Sequence, residues 1–279
     1  MAHATELDCA IQTKSHGGSQ AESLAGALRV FATKETYGPL ERAYDTLNEE
    51  LFEGRLPGCV LTLQRERRNS YGYFSKARWV SQAGVFADEI AVNPNHFAVI
   101  PLLECLQILG HEMCHQAQAA FGKPGRRGYH NREFASMMAN IGLQTSTTGR
   151  PGGKATGESM SDYPIPGGRF LSVAHALISA GFRIQWMDRF PPAAVVKLAQ
   201  HQAESPVDLG HEPSPQLLAA STPLTADQLT RLSIRATVEA PPAPPTRWKF
   251  TCQCGENIWG KRTTLATCPT CESPFQRQD

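Results

Sequence analysis

No stretch of eighteen apolar residues occurs in the 279-residue chain, so the sequence offers no membrane-spanning helix. Residues 1–20 include Glu6 and Asp8 and lack the apolar core of a secretory leader, which makes a cytoplasmic location the expectation. Charge of one sign is also missing: 27 Lys and Arg stand against 26 Asp and Glu, and a net charge of +1 gives no general attraction to phosphate. Eight cysteines are too few to staple a chain of this length, and Cys9, Cys59, Cys105 and Cys114 have no paired spacing, so they read as free thiols. A phosphate loop is absent as well. Gly149-Arg150-Pro151-Gly152-Gly153-Lys154-Ala155 has its glycines one residue too close, and no Ser or Thr follows Lys154. Hydrophobic residues make up 41% of the chain, enough for one substantial core and a small appendage.

What the chain does contain is His111-Glu112-Met113-Cys114-His115. Two histidines four apart share one helix face and can grip one zinc ion, while Glu112, about 100° further round, can reach a water without being a ligand. The flanks support a helix. Leu102, Cys105, Leu106, Leu109, Met113, Ala117 and Ala120 form an apolar stripe nearly opposite the histidines, Pro101 suits a first turn, and Gly122 and Pro124 supply a stop. This pattern predicts a hydrolase with Glu112 as general base.

A catalytic zinc usually keeps three protein ligands and one open position. His130 is the expected third ligand. It follows the Gly-, Lys- and Arg-rich residues 122–129 and precedes a second apolar-periodic helix with Phe134, Met137, Met138 and Ile141, ended by Gly142. Glu133 is the acidic rival, but its place inside that helix suits a first-turn carboxylate. A second cluster, Cys252, Cys254, Cys268 and Cys271, forms a C-x-C and a C-x-x-C pair, a spacing that lets four thiolates enclose a structural zinc with no open position. A redox role for Cys268-Pro269-Thr270-Cys271 fails for want of a long helix after it. The expected cofactors are thus one catalytic and one structural Zn2+.

These ordered motifs carry a family resemblance. His111-Glu112-Met113-Cys114-His115 followed by His130-Asn131-Arg132-Glu133-Phe134 resembles the HExxH and H-x-x-x-F elements of SprT-like zinc metallopeptidases, the group that includes the Spartan proteases. Asn48-Glu49-Glu50-Leu51-Phe52-Glu53-Gly54-Arg55-Leu56-Pro57 resembles that family's upstream helix and Leu-Pro turn, and Glu89-Ile90-Ala91-Val92-Asn93-Pro94 resembles the strand leading to its zinc helix. The resemblance implies a zinc endopeptidase whose eukaryotic relatives cleave proteins attached to DNA. It therefore implies a protein substrate and DNA as partners. The residues themselves give DNA modest support, through Arg65, Arg67, Arg68, Lys76 and Arg78, through Lys123, Arg126 and Arg127, and through Arg247, Lys249, Lys261 and Arg262 interleaved with Trp248, Phe250 and Trp259. The alternative is a non-catalytic zinc-containing nucleic-acid-binding or adaptor protein. Tyr129, Tyr163 and Arg126 are candidate oxyanion donors, and that role stays unassigned.

The expected fold class is α+β: a zincin-like domain of helix, small three-stranded sheet, zinc helix and ligand helix, plus a small C-terminal zinc ribbon. Residues 1–35 read as weakly ordered, with a short helix through Leu24, Leu28 and Phe31. Residues 36–145 form the metallopeptidase domain, with a helix from Pro39 to Phe52 and three strands across 59–92. Residues 146–202 are expected as a long loop to Gly168 followed by a helix and an extended Phe182-Arg183-Ile184-Gln185-Trp186. The prolines of 203–246 suggest a semi-rigid spacer before the ribbon at 247–279.

Overall fold

The computed structural model describes residues 32–65, 70–203, 207–210, 212–237 and 246–278. They fall into two compact units divided between Thr237 and Val238. The expected helix through Leu24, Leu28 and Phe31, and also Cys9, Arg67 and Arg68, lie outside the described residues.

The first unit opens with helix α1, Ala32–Phe52, which starts seven residues before the expected Pro39 and carries that proline inside it. A proline already holds a helical φ and costs one internal N–H bond. Burial of Leu40, Ala43, Tyr44, Leu47 and Leu51 on the following turns outweighs that loss. Strands β1 (Cys59–Leu63), β2 (Gly72–Val80) and β3 (Phe86–Val92) come next. Their order is β1-β3-β2, with β1 parallel and β2 antiparallel to the central β3. β2 is therefore an edge strand.

Helix α2, Leu102–Phe121, follows the buried residues 93–100 and ends at Gly122. Of the expected apolar stripe, Cys105, Leu106, Leu109, Met113 and Ala117 are buried, Leu102 is half-buried and Ala120 is exposed. Leu103, Ile108, Glu112, Cys114, Gln116 and Gln118 are buried too, because α2 lies centrally among α1, the sheet and the segments that follow. Helix α3, Arg132–Ile141, is capped by Asn131, whose side chain accepts from the Phe134 N–H, and closes at Gly142 in a left-handed conformation, φ 93°. A methyl group at Gly142 would meet the Phe170 nitrogen at 2.7 Å, so the chain can turn here only as glycine.

The stretch expected as a long loop contains a two-stranded antiparallel sheet instead, β4 (Leu143–Ser146) with β5 (Ser161–Pro164). Its short strands are too polar to show the alternation that marks a strand in sequence. Helix α4, Arg169–Ser179, buries Phe170, Leu171, Ala174 and Leu177. Arg169 bonds the Glu50 carbonyl of α1 (2.7 Å) and the Asn140 carbonyl of α3 (3.3 Å), so one cation satisfies acceptors on two helix C-terminal turns. Residues 182–186 form no strand.

The expected spacer at 203–246 is corrected in part. Helix α5, Ala193–Ala203, is followed by α6 (Pro215–Ala220) and α7 (Ala226–Arg231), and Leu217 and Ala220 are buried in the core of the first unit. Pro213, Pro215 and Pro223 border these helices, whereas Pro206, Pro241, Pro242, Pro244 and Pro245 lie outside the described residues. Ser214 caps α6 ahead of Pro215, and Thr225 with Gln228 forms a capping box on α7.

The second unit contains β6 (Trp248–Thr251), β7 (Asn257–Gly260) and β8 (Gln276–Arg277), in the order β7-β6-β8 with antiparallel pairing. No helix among the described residues is long and apolar enough to cross a membrane.

Candidate metal centre

His111 and His115 project from adjacent turns of α2, and His130 is delivered by the residue before the α3 cap. Their Nε2 atoms converge. His130 Nε2 lies 3.2 Å from His111 Nε2 and 3.1 Å from His115 Nε2. Phe134 is fully buried beneath the three rings, with centroid distances of 5.1 Å to His111, 4.2 Å to His115 and 4.8 Å to His130. It forms an apolar floor, a role its place in a helical apolar stripe did not reveal.

The loop carrying His130 is fixed by polar contacts. Asn131 Nδ2 donates to the Lys123 carbonyl, and Glu133 Oε2 accepts from the Lys123 N–H and from Gln118 Nε2, each at 2.7 Å. Glu133, the acidic rival, is thus committed to the loop and outside the histidine cluster. Its hydrogen bond from Lys123 holds its pKa below the usual carboxylate range.

The second ring nitrogens are also engaged. His111 Nδ1 is 2.8 Å from Asp162 Oδ2, and His130 Nδ1 is 3.3 Å from the Gly157 carbonyl oxygen. Carboxylate and carbonyl oxygens accept, so both Nδ1 atoms carry the proton and each neutral ring aims a lone pair inward. Burial pushes His115 down to about 2 and His130 down to about 4, which keeps both uncharged. Burial also opposes charge on His111, but Asp162 and Glu112 leave its pKa raised. A proton on His111 Nε2 would serve one neighbour and leave the remaining nitrogens facing lone pair to lone pair. A dication serves all three. Nitrogens about 2.0–2.1 Å from a tetrahedral zinc stand about 3.3–3.4 Å apart, close to the separations here. Asp162 Oδ1 is buried with no hydrogen-bond partner among the described residues, so His111 satisfies only one oxygen of a carboxylate that lies beside the cluster. The residues fit a zinc ion.

Glu112 is buried on the neighbouring face of α2 and is not part of the converging group. Burial raises its carboxyl to about 7, His111 opposing and Asp162 reinforcing the shift. Room for it comes from Gly72 at the start of β2, where a methyl would meet Glu112 Oε1 at 3.4 Å and the Ala91 carbonyl oxygen at 2.7 Å.

In the second unit, Cys252, Cys254, Cys268 and Cys271 place their sulfurs within 4.8 Å of one another. Two tight turns present them. The Cys252 N–H donates to the Glu256 carbonyl on one side, and the Cys268 N–H to the Ser273 carbonyl on the other. The Ser273 hydroxyl, 2.8 Å from Cys271 Sγ, pulls that thiol down to about 6, toward the thiolate a metal requires. The cluster is compatible with a zinc ribbon. Cys59, Cys105 and Cys114 are free thiols outside both clusters.

Asp162 was not anticipated, because a single aspartate inside a Gly-, Ser- and Thr-rich stretch carries no periodic signal. The only hint available was chemical: a metal-binding imidazole usually has a carboxylate or carbonyl behind it.

The SprT-like family pattern matches residues 40–151. An uncharacterized protein in the mucB 3′ region of Salmonella typhimurium is 54% identical over 59 residues, which span 21% of this chain and 78% of that protein. No solved structure matches. With its histidine cluster inside the matched residues, the chain belongs to the SprT-like family.

Proposed function

We propose that the chain is a zinc-dependent endopeptidase of SprT-like type, with a zincin-like catalytic domain, that cleaves proteins bound or crosslinked to DNA. The observation that carries this reading is the convergence of His111, His115 and His130 beside a buried carboxylate, Glu112, that stays outside the ligand group. Bound zinc supplies Lewis acidity and a concentrated positive charge. Glu112 takes a proton from the attacking water on a carboxylate oxygen as the water oxygen bonds to the peptide carbon, and returns it to the amide nitrogen as the C–N bond breaks. Phe134 and the buried face of α2 keep bulk water from the back of the site. Strand β2, which stands at the edge of the described sheet and begins against Glu112 at Gly72, suits an extended peptide added as a further strand.

Support for DNA lies in the second unit. Lys249 and Trp259 are cross-strand neighbours and both are exposed, Trp259 by 60%, with Arg247, Lys261 and Arg262 exposed nearby in sequence. Exposed indole beside cations suits stacked, unpaired bases. The second zinc, held by the four cysteines, is structural in this reading.

The test uses the purified full chain and a DNA-binding protein as substrate, with and without single-stranded DNA. Wild type is expected to cleave, faster with DNA, and Glu112→Gln to lose cleavage with its zinc content unchanged. Equal cleavage by Glu112→Gln would refute the reading.

A further inference from the structure

We infer that Gly157 and Asp162, beyond the matched residues 40–151, form the outer shell that sets the metal affinity of the histidine cluster, with Asp162 as its principal positioning residue. The inference rests on the metal reading above and adds a cause for the strength of binding.

Two of the three imidazoles take their orientation from this segment. Asp162 Oδ2 accepts from His111 Nδ1 at 2.8 Å, and the Gly157 carbonyl accepts from His130 Nδ1 at 3.3 Å. Gly157 also pairs with His130 through the backbone in both directions, at 2.7 and 3.1 Å, so the ring and its acceptor move together. Asp162 is held from two sides. Its carbonyl accepts from Gln107 Nε2 of α2 at 2.8 Å, and β5 pairs it with Thr145 of β4.

An imidazole without an acceptor at Nδ1 can place its proton on Nε2 instead, and that tautomer cannot ligate a metal through Nε2. Asp162 removes this alternative for His111, and its negative charge makes the ring a stronger donor to a cation. Its side chain is only 8% exposed, so water screens that charge poorly. The matched family residues therefore hold the three ligands, while the parts that tune them arrive from the chain that follows. The neighbouring Glu158 provides an internal comparison, because its side chain pairs with Arg126 at 2.6 Å in solvent, and only its backbone, which alanine keeps, approaches His130.

The test measures zinc affinity of the full chain by competition with a chromophoric chelator, with the histidine-held zinc identified as the one lost in His115→Ala. Asp162→Ala should weaken that zinc roughly 10–100-fold. Asp162→Asn, whose amide oxygen still accepts from Nδ1–H, should weaken it less, and its near-isosteric side chain keeps the test usable where the alanine variant fails to fold. Glu158→Ala should leave it unchanged. Wild-type affinity in both Asp162 variants, or an equal loss in Glu158→Ala, would overturn the role of Asp162. A wild-type chain that holds one zinc, unaffected by His115→Ala, would instead refute the metal reading on which the inference rests.

Discussion

Gly72 and Glu112 are held so close that a single methyl on the glycine would meet the carboxylate at 3.4 Å and, on its other side, the Ala91 carbonyl oxygen at 2.7 Å. The second contact is with backbone of the central strand and cannot be relieved by a rotamer change. Gly72→Ala is therefore expected to shift the start of β2, costing about 1–3 kcal/mol of stability. Cleavage should fall further than the melting temperature suggests, since the displaced strand borders Glu112. Thermal melts with parallel cleavage assays check this.

Asn131 links the end of α2 to the start of α3, since it caps the Phe134 N–H and also binds Gln118 and the Lys123 carbonyl. Asn131→Ala removes all three bonds next to His130. Loss of a cap alone costs about 1 kcal/mol. The expected result is a lower denaturation midpoint together with weaker retention of the histidine-held zinc, read by urea unfolding and metal analysis.

His96 gives a pH dependence separate from the metal centre. It is buried against Tyr71, and burial lowers its pKa from 6.5 to about 4. Between those values the unfolded chain is protonated at this position and the folded chain is not, so acidification favours unfolding. Stability from neutral His96 is complete above about pH 6.5 and declines as the pH falls to about 4, by about 3 kcal/mol in all. His96→Gln should flatten the wild-type decline over this window. Urea unfolding across pH 4–7 measures the difference.

Chelation should act on the second unit differently. Its described core holds little beyond Phe250 and two of the cysteines, so in the proposed reading the metal supplies much of its folding energy. Cys268→Ser is expected to remove one zinc per chain and open residues 246–278 to protease. Melting of the first unit should stay within 1–2 °C of wild type, about the precision of the measurement. Zinc counting and limited proteolysis test both parts.

Much of the site was legible in the sequence because helical spacing carries geometry. His111 and His115 at i and i+4 must share a face, and His130, preferred over Glu133 by its place at the mouth of α3, follows a glycine-rich turn that brings the chain back to them. The four cysteines were legible for the same local reason. The parts that escaped depend on contacts distant in sequence. Asp162 reaches His111 only because β5 pairs with β4, and the polar composition of both strands hides that pairing. The early start of α1 and the helices α6 and α7 were obscured by proline, which read as a boundary and a spacer. Pro39 instead packs inside a helix, and Pro215 starts one.

The central claim is that three imidazoles hold a catalytic zinc and leave room for chemistry beside Glu112. Anomalous diffraction from crystals of the full chain, recorded on both sides of the zinc edge, tests it most directly. The account predicts a peak bonded to Nε2 of His111, His115 and His130, with no fourth protein ligand. A missing peak, or one whose coordination is closed by a further side chain, would contradict it.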